Sequence, residues 1–216
     1  MAPNLKAALQ LFDLASLYAS APPRRSEVEW HRNSVFENCT ETDLLREAAW
    51  VILCSGFRER TVRRIFDHVS LCFCDWESAE AILASDPMCR LAARPVFSND
   101  AKLSAIVGVA YHIHTNGFAR LHADVLRSPL QELQKLPFIG PVTVWHLAKN
   151  LGLNVAKPDR HLVRVSNALG FSSAEHLCTE IAQARDEQQK VVDLVLWRYL
   201  ADNPTASQTE GLAKIA

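Results

Sequence analysis

Apolar positions along this chain recur three and four residues apart, and no stretch keeps the two-residue alternation of a half-buried strand. The first such pattern spans residues 4–19, an amphipathic helix with Leu5, Leu9, Phe12 and Leu17 among its apolar positions. Pro22-Pro23 stops it, and Arg24-Arg25 open a polar connector carrying Trp30, His31, Phe36 and Glu37. Thr42 is placed to cap a helix through Leu44, Leu45, Ala48, Ala49, Val51, Ile52 and Leu53, apolar all round after Ala48 and therefore buried on several sides. The segment Cys54 to Arg60 breaks that helix, and RTVRRIFDHV resumes it. Two further helices fall at 76–85 and 101–115. The second follows an Asn99-Asp100 cap and turns Ile106, Val109, Ala110 and Ile113 inward.

The densest chemistry lies between Leu136 and Gly170. Ser128-Pro129 start a helix over 128–135, the turn Leu136-Pro137-Phe138-Ile139-Gly140 follows, and Pro141 suits a first helical position. Val144, Leu147, Ala148 and Leu151 form the next apolar stripe, ended by Gly152. A short loop then delivers Lys157-Pro158-Asp159, with Asp159 at the N-cap of a helix that opens with Arg160, His161 and Arg164 and ends at Gly170. Amides around Phe138, Gly140 and Thr143 lie at an open helix N-terminus, which suits a phosphate and reads no base sequence. A helix near 173–185 and a last one containing VVDLVLWRYLA, with Val191, Leu194, Val195 and Leu196 buried, complete an all-α chain. The tail beyond Asn203-Pro204 is polar and expected to be loose.

Composition narrows this picture. At 216 residues and 49% apolar, the chain can bury a substantial core in one or two packed subdomains. It has no long apolar run and no signal-peptide pattern, so a soluble intracellular protein of the cytoplasm or nucleoid is expected; a monomer that does not engage membranes is the expected working form. The six cysteines keep no framework spacing, and Cys72-x-Cys74 is too tight for a zinc pair. His112 and His114, two apart, point to different sides of a helix. A formal net charge of −1 means that any DNA affinity must come from a local basic face.

The stretch 136–170 resembles the helix-hairpin-helix motif, followed by a loop and an Asp, of the DNA glycosylase superfamily that includes endonuclease III and the alkylpurine glycosylases. Leu136, Pro137, Ile139, Gly140 and Thr143 match in the hairpin, then Asp159, His161 and Arg164. Phe97, Asn99 and Lys102 resemble the junction that precedes the hairpin in that superfamily. The resemblance implies two helical subdomains, 38–152 with the hairpin and 1–37 plus 153–216, with Asp159 in a cleft between them. It implies double-stranded DNA with a damaged or modified base as partner. Asp159 would be the catalytic carboxylate, and Phe138, Gly140, Thr143, Arg160 and Arg164 would bind phosphate. Phe57 or Arg58 would be the wedge that probes the gap left by a flipped nucleotide. Trp30, Phe36, Trp50 and Trp145 are candidate walls of the base pocket, though for any one of them the core reading has the stronger claim.

Departures from the superfamily pattern refine the activity. Bifunctional members carry a lysine two positions after the hairpin's second glycine; here Val142 stands there and cannot form an imine, so monofunctional hydrolysis is expected. The additional acid of the adenine-mispair branch aligns with Val51, and Glu47 is one turn earlier. The four-cysteine iron–sulfur signature is missing from the C-terminal segment, where Cys178 stands alone. The remaining resemblance is to cluster-free, 3-methyladenine-type enzymes that require no cofactor. Members hold a monovalent cation, Na⁺ or K⁺, on hairpin carbonyls that map to Gln134, Leu136 and Ile139. Three other readings stay open at this level: a silent hairpin protein that binds DNA with Asp159 as a cap only, an all-α protein-interaction module, and a glycosylase/lyase using another lysine such as Lys157.

Overall fold

The computed structural model describes residues 2–22 and 24–207. Among them there is no strand, and the helices are α1 Leu5–Ala19, α2 Arg24–Asn33, α3 Glu41–Cys54, α4 Glu59–Arg63, α5 Phe66–Cys72, α6 Ala79–Ser85 and α7 Met88–Ala93. They continue as α8 Asp100–Asn116, α9 Phe118–Arg127, α10 Pro129–Leu133, α11 Thr143–Asn150, α12 Arg160–Ala168, α13 Ala174–Arg185 and α14 Gln189–Asp202. The protein is all-α. The chain divides into two compact units, Val35–Leu151 and the described residues of Met1–Ser34 with Gly152–Ala216. The inner unit thus begins three residues before the expected 38 and ends one before 152. The tail beyond 207 lies outside the described residues. No helix of the described residues is long and apolar enough to cross a membrane.

In the unit built from both ends of the chain, α1 packs on α13 and α14 through Ala7, Ala8, Leu11, Phe12, Ala15 and Ala19. Small side chains let these helices approach closely, so the contact face is centred on alanines. Leu17, expected on the apolar stripe, is instead 73% exposed. The expected connector after Pro23 is the helix α2 followed by a 3-10 turn at Phe36–Asn38. It lacks an apolar stripe because ion pairs hold it: Arg25 to Glu29 at 2.7 Å within the helix, Arg32 to Glu187 at 2.6 Å and Arg198 to Glu27 at 2.5 Å. Val28 is its contact with the core. Lys190 of α14 is 1% exposed, and its ammonium donates to the carbonyls of Gly152 (3.0 Å) and Ser34. Those are the residues at which the chain re-enters and leaves this unit.

The inner unit is organised around α8, which packs on α3, α6, α7 and α9. Asn99 caps it by accepting from the Lys102 N–H at 3.2 Å, and Leu103, Ile106, Val109, Ala110 and Ile113 are buried. The cap of α3 is Thr40 rather than Thr42: its hydroxyl accepts from the Asp43 N–H, and the Asp43 carboxylate accepts from the Thr40 N–H, a reciprocal capping box. The stretch after Arg60 is two short helices, α4 and α5, and α6 begins only at Ala79. Cys74, Asp75 and Trp76 intervene with φ of 56°, 48° and 63°. Left-handed backbone costs about 1–2 kcal/mol per residue. The offsetting gain is Trp76, buried between Phe66 and Phe73 with its Nε1–H donating to Ser70 Oγ at 2.8 Å.

The hairpin approaches α8 closely at Gly108. A Cβ added to Gly108 would lie 3.0 Å from Cγ of Pro137. Gly108→Ala should gain about 1 kcal/mol of helix propensity and lose about 1–3 kcal/mol by overpacking against the Pro137 ring, for a net loss of about 0–2 kcal/mol. Urea unfolding measures it; a net gain of about 1 kcal/mol, the propensity change alone, would mean that the turn does not rest on α8.

Candidate functional site

Asp159 is the N-cap of α12, with extended φ and ψ of −86° and 163°. Lys157-Pro158 aim it: the Asp159 N–H closes a tight turn onto Lys157 O at 2.8 Å. Its Oδ1 accepts from both the His161 and the Leu162 N–H, at 2.8 and 3.1 Å. Oδ2 takes no hydrogen bond among the described residues. Asp159 and His161 are half-buried, whereas Arg160 and Arg164 are exposed. These four residues, with Trp197, Ala201 and Pro204, line an open cavity of about 430 Å³. That volume suits a small organic ligand. Arg160 Nε lies 3.4 Å from His161 Nε2, and the buried His161 Nδ1 has no hydrogen-bond partner among the described residues.

Trp197, Ala201 and Pro204 are lining residues that sequence reasoning missed, and Trp197 is the one with chemistry to offer. It lies on α14, far from Asp159 in the chain, and Arg198 stacks on its ring at 4.7 Å. Sequence alone marked its neighbours Leu194, Val195 and Leu196 as a buried stripe and gave no sign that the next position faces α12.

The hairpin belongs to the inner unit. α11 begins at Thr143, so Pro141 sits in the turn and not at the first helical position. The Gly140 N–H donates to Thr143 Oγ1 at 2.8 Å, and Gly140 O accepts from Val144 N–H at 2.9 Å. The turn thus uses the Gly140 amide itself, and the N–H groups of Val142 and Thr143, ahead of Val144, whose N–H is the first to donate to a helical carbonyl, are those left for an anion. The space beside Gly140 is open: an added Cβ would meet nothing within 4 Å. Phe138 holds the turn with φ of 66° and is exposed. Of the carbonyls mapped to a cation, Leu136 O also accepts the Ile139 N–H at 3.1 Å.

The remaining candidates separate. Phe57, in the turn after α3, and Arg58 are exposed, as a wedge requires. Phe36 is buried and stacks on His122, with centroids 4.7 Å apart, so it is core and not a pocket wall. Trp50 packs edge-on to Phe66 at 5.0 Å. Trp145 is half-buried on α11, and Trp30, exposed on α2, lies edge-on to His31. None of these four lines the cavity at Asp159.

Among the described residues no group of three or more His, Cys, Asp or Glu is placed to hold a metal ion. The cysteines are unbridged. Burial pushes the Cys39 and Cys54 thiols up to about 12, which disfavours the thiolate a nucleophile needs. No family model, no curated protein and no solved structure matches the chain.

Glu47 is the other carboxylate with a marked environment. Burial raises its pKa, the hydrogen bond from Asn150 Nδ2 at 2.9 Å and the charge of Arg46 oppose the rise, and Asp43 adds to it. A raised folded pKa means that the native state binds the proton more tightly than the unfolded chain. Stability is then lost as pH rises from the ordinary glutamate range through the folded value. Glu47→Gln keeps an oxygen for Asn150 and removes the ionisation, so it should flatten that loss and raise the melting temperature at neutral pH. Melting curves on both proteins from pH 4.5 to 8 check this (about the window set by ordinary and raised carboxyls); parallel curves would refute it.

Proposed function

We propose that this protein is a monofunctional DNA glycosylase, hydrolysing the N-glycosidic bond of a damaged or modified base extruded from double-stranded DNA. What carries the reading is the division of labour within Asp159. One oxygen takes two helix amides and fixes the side chain, and the other is unengaged at a cavity flanked by two arginines and an indole. A cap needs only the first oxygen.

As the bond to the base breaks, its electron pair leaves with the base nitrogen and positive charge develops across C1′ and the ring oxygen of the sugar. Oδ2 of Asp159 faces that charge and takes a proton from the water that adds to C1′; that proton then passes, through solvent, to the departed base nitrogen, leaving a neutral free base, an ionised Asp159 and an intact abasic strand. Trp197 offers a face for stacking, and Arg160 and Arg164 attract the flanking phosphates. The amides of Val142 and Thr143 bind a phosphate at the hairpin. A monovalent cation on the carbonyls of Gln134, Leu136 and Ile139 would add positive charge there; Leu136 O retains a second lone pair for it. The family resemblance of residues 136–170 points the same way. The double amide contact of Asp159 favours one rival, a silent DNA-binding protein in which this residue is only a cap.

Asp159→Asn separates the two. Asn caps nearly as well as Asp, so stability should stay within about 1 kcal/mol of wild type. Single-turnover base release should fall roughly a hundred- to a thousand-fold, while DNA affinity holds or improves. The substrate is found first, by mass spectrometry of bases freed from a panel of damaged and modified DNAs. Release at the wild-type rate would make Asp159 a cap and nothing more.

Strand chemistry gives an independent check. Val142 is 71% exposed where a lyase would carry its amine. Borohydride should therefore trap no protein–DNA adduct during turnover. Efficient trapping would reassign the reaction to an imine, with Lys157 the first amine to replace.

A further inference from the structure

Lys102 is a lysine buried for a reason. It stands in the first turn of α8 and is 3% exposed. Its ammonium reaches the end of α3, donating to the carbonyl of Leu53 at 2.9 Å and to that of Ser55. Carbonyls at a helix C-terminus lack intrahelical donors and carry partial negative charge, so a cation is favoured there. Three phenylalanine rings surround the same ammonium: Phe57 at 4.6 Å, Phe97 at 5.8 Å and Phe138 at 5.8 Å. Phe97 is core, and its ring lies 5.3 Å from that of Phe57.

The other two rings are not core. Phe57 comes from the turn after α3 and Phe138 from the hairpin turn, and each leaves 46% of its surface exposed. Phe138 also adopts left-handed backbone, which a bulky side chain rarely does. Burial does not explain a ring held exposed on a strained residue, and such strain concentrates at functional turns. The common neighbour of these two exposed rings is the Lys102 ammonium.

We propose that Lys102 is a positioning residue that holds Phe57 and Phe138 as a two-ring blade for the duplex. The inference rests on the glycosylase reading and deepens it: the wedge is a pair of rings from two distant turns, with Lys102 fixing their spacing. Phe57 enters the gap left by the extruded nucleotide. Phe138, beside the phosphate-binding amides, presses on the neighbouring stack. Base steps are about 3.4 Å apart, so two rings sharing one cation lie within a few steps of each other.

The probe is a short duplex with 2-aminopurine next to a tetrahydrofuran abasic analogue, which reports unstacking by fluorescence independently of base release. Wild type should bind it, read by anisotropy, and raise the fluorescence. Lys102→Met keeps the length but loses the charge and both carbonyl bonds. It should cut the fluorescence gain about tenfold, the scale of a desolvated cation–π contact, with a smaller loss of affinity because the phosphate contacts remain. Lys102→Arg should restore most of the gain. Measurements are made below the melting temperature of every variant. If Lys102→Met does not fold, the exposed rings carry the test. Phe57→Ala and Phe138→Ala should each abolish most of the gain, and the double variant should add little. Additive losses, or a Lys102→Met protein that unstacks like wild type, overturn the inference and leave the glycosylase reading standing. A wild-type protein that does not bind the duplex overturns both.

Discussion

Ammonium groups buried against main-chain carbonyls hold together parts of the chain that apolar packing alone would leave ragged. An unpaired buried charge costs several kcal/mol, so such a lysine is stable only where acceptors converge on it. Lys102 finds them at the end of α3, and Lys190 finds them at Ser34 and Gly152. In each case the acceptors lie at a helix end or a chain crossing, where backbone carbonyls have no helical donor. The cation thereby does for these carbonyls what capping side chains do for amides at Thr40, Asn99 and Asp159.

Where structure follows from local rules, the sequence can be read. Asn99 and Asp159 are capping residue types directly before helices. Gly152 and Gly170 end α11 and α12 with φ of 91° and 80°. The buried stripes of α8 and α14 follow the helical period. Legibility ends where a distant partner decides. α2 has no stripe, and its ion partners Glu187 and Arg198 come from the other end of the chain. The left-handed turn at Cys74–Trp76 contradicts the local preference of Cys74 and Trp76, though Asp75 tolerates it, and persists because Trp76 is buried. Thr42 and Thr40 are equally good caps, and only the Asp43 carboxylate decides between them.

The candidate site divides in the same way. Asp159 was visible because a capping carboxylate between basic residues is a local pattern. The distribution of work between its two oxygens depends on which amides converge on Oδ1. Trp197 reaches the cavity only because α14 packs on α12, a contact between segments with no sequence relation. Phe36 fails as a pocket wall for a like reason: His122, on α9, takes its face. Aromatic residues can be counted in a sequence, but what covers each is a tertiary fact.

The alanine-centred face of α1 has a consequence for how the protein is made. Its cover is α13 and α14, and the whole of Val35–Leu151 is synthesised in between. During translation the inner unit can complete its core while α1 waits, its apolar face in water, for a partner still to be polymerised. Closing so long a loop adds only slowly to the entropic cost but delays the contact. The nascent chain is therefore most exposed to aggregation and to chaperones through its α1 helix, which enters its core only when α14 has been made.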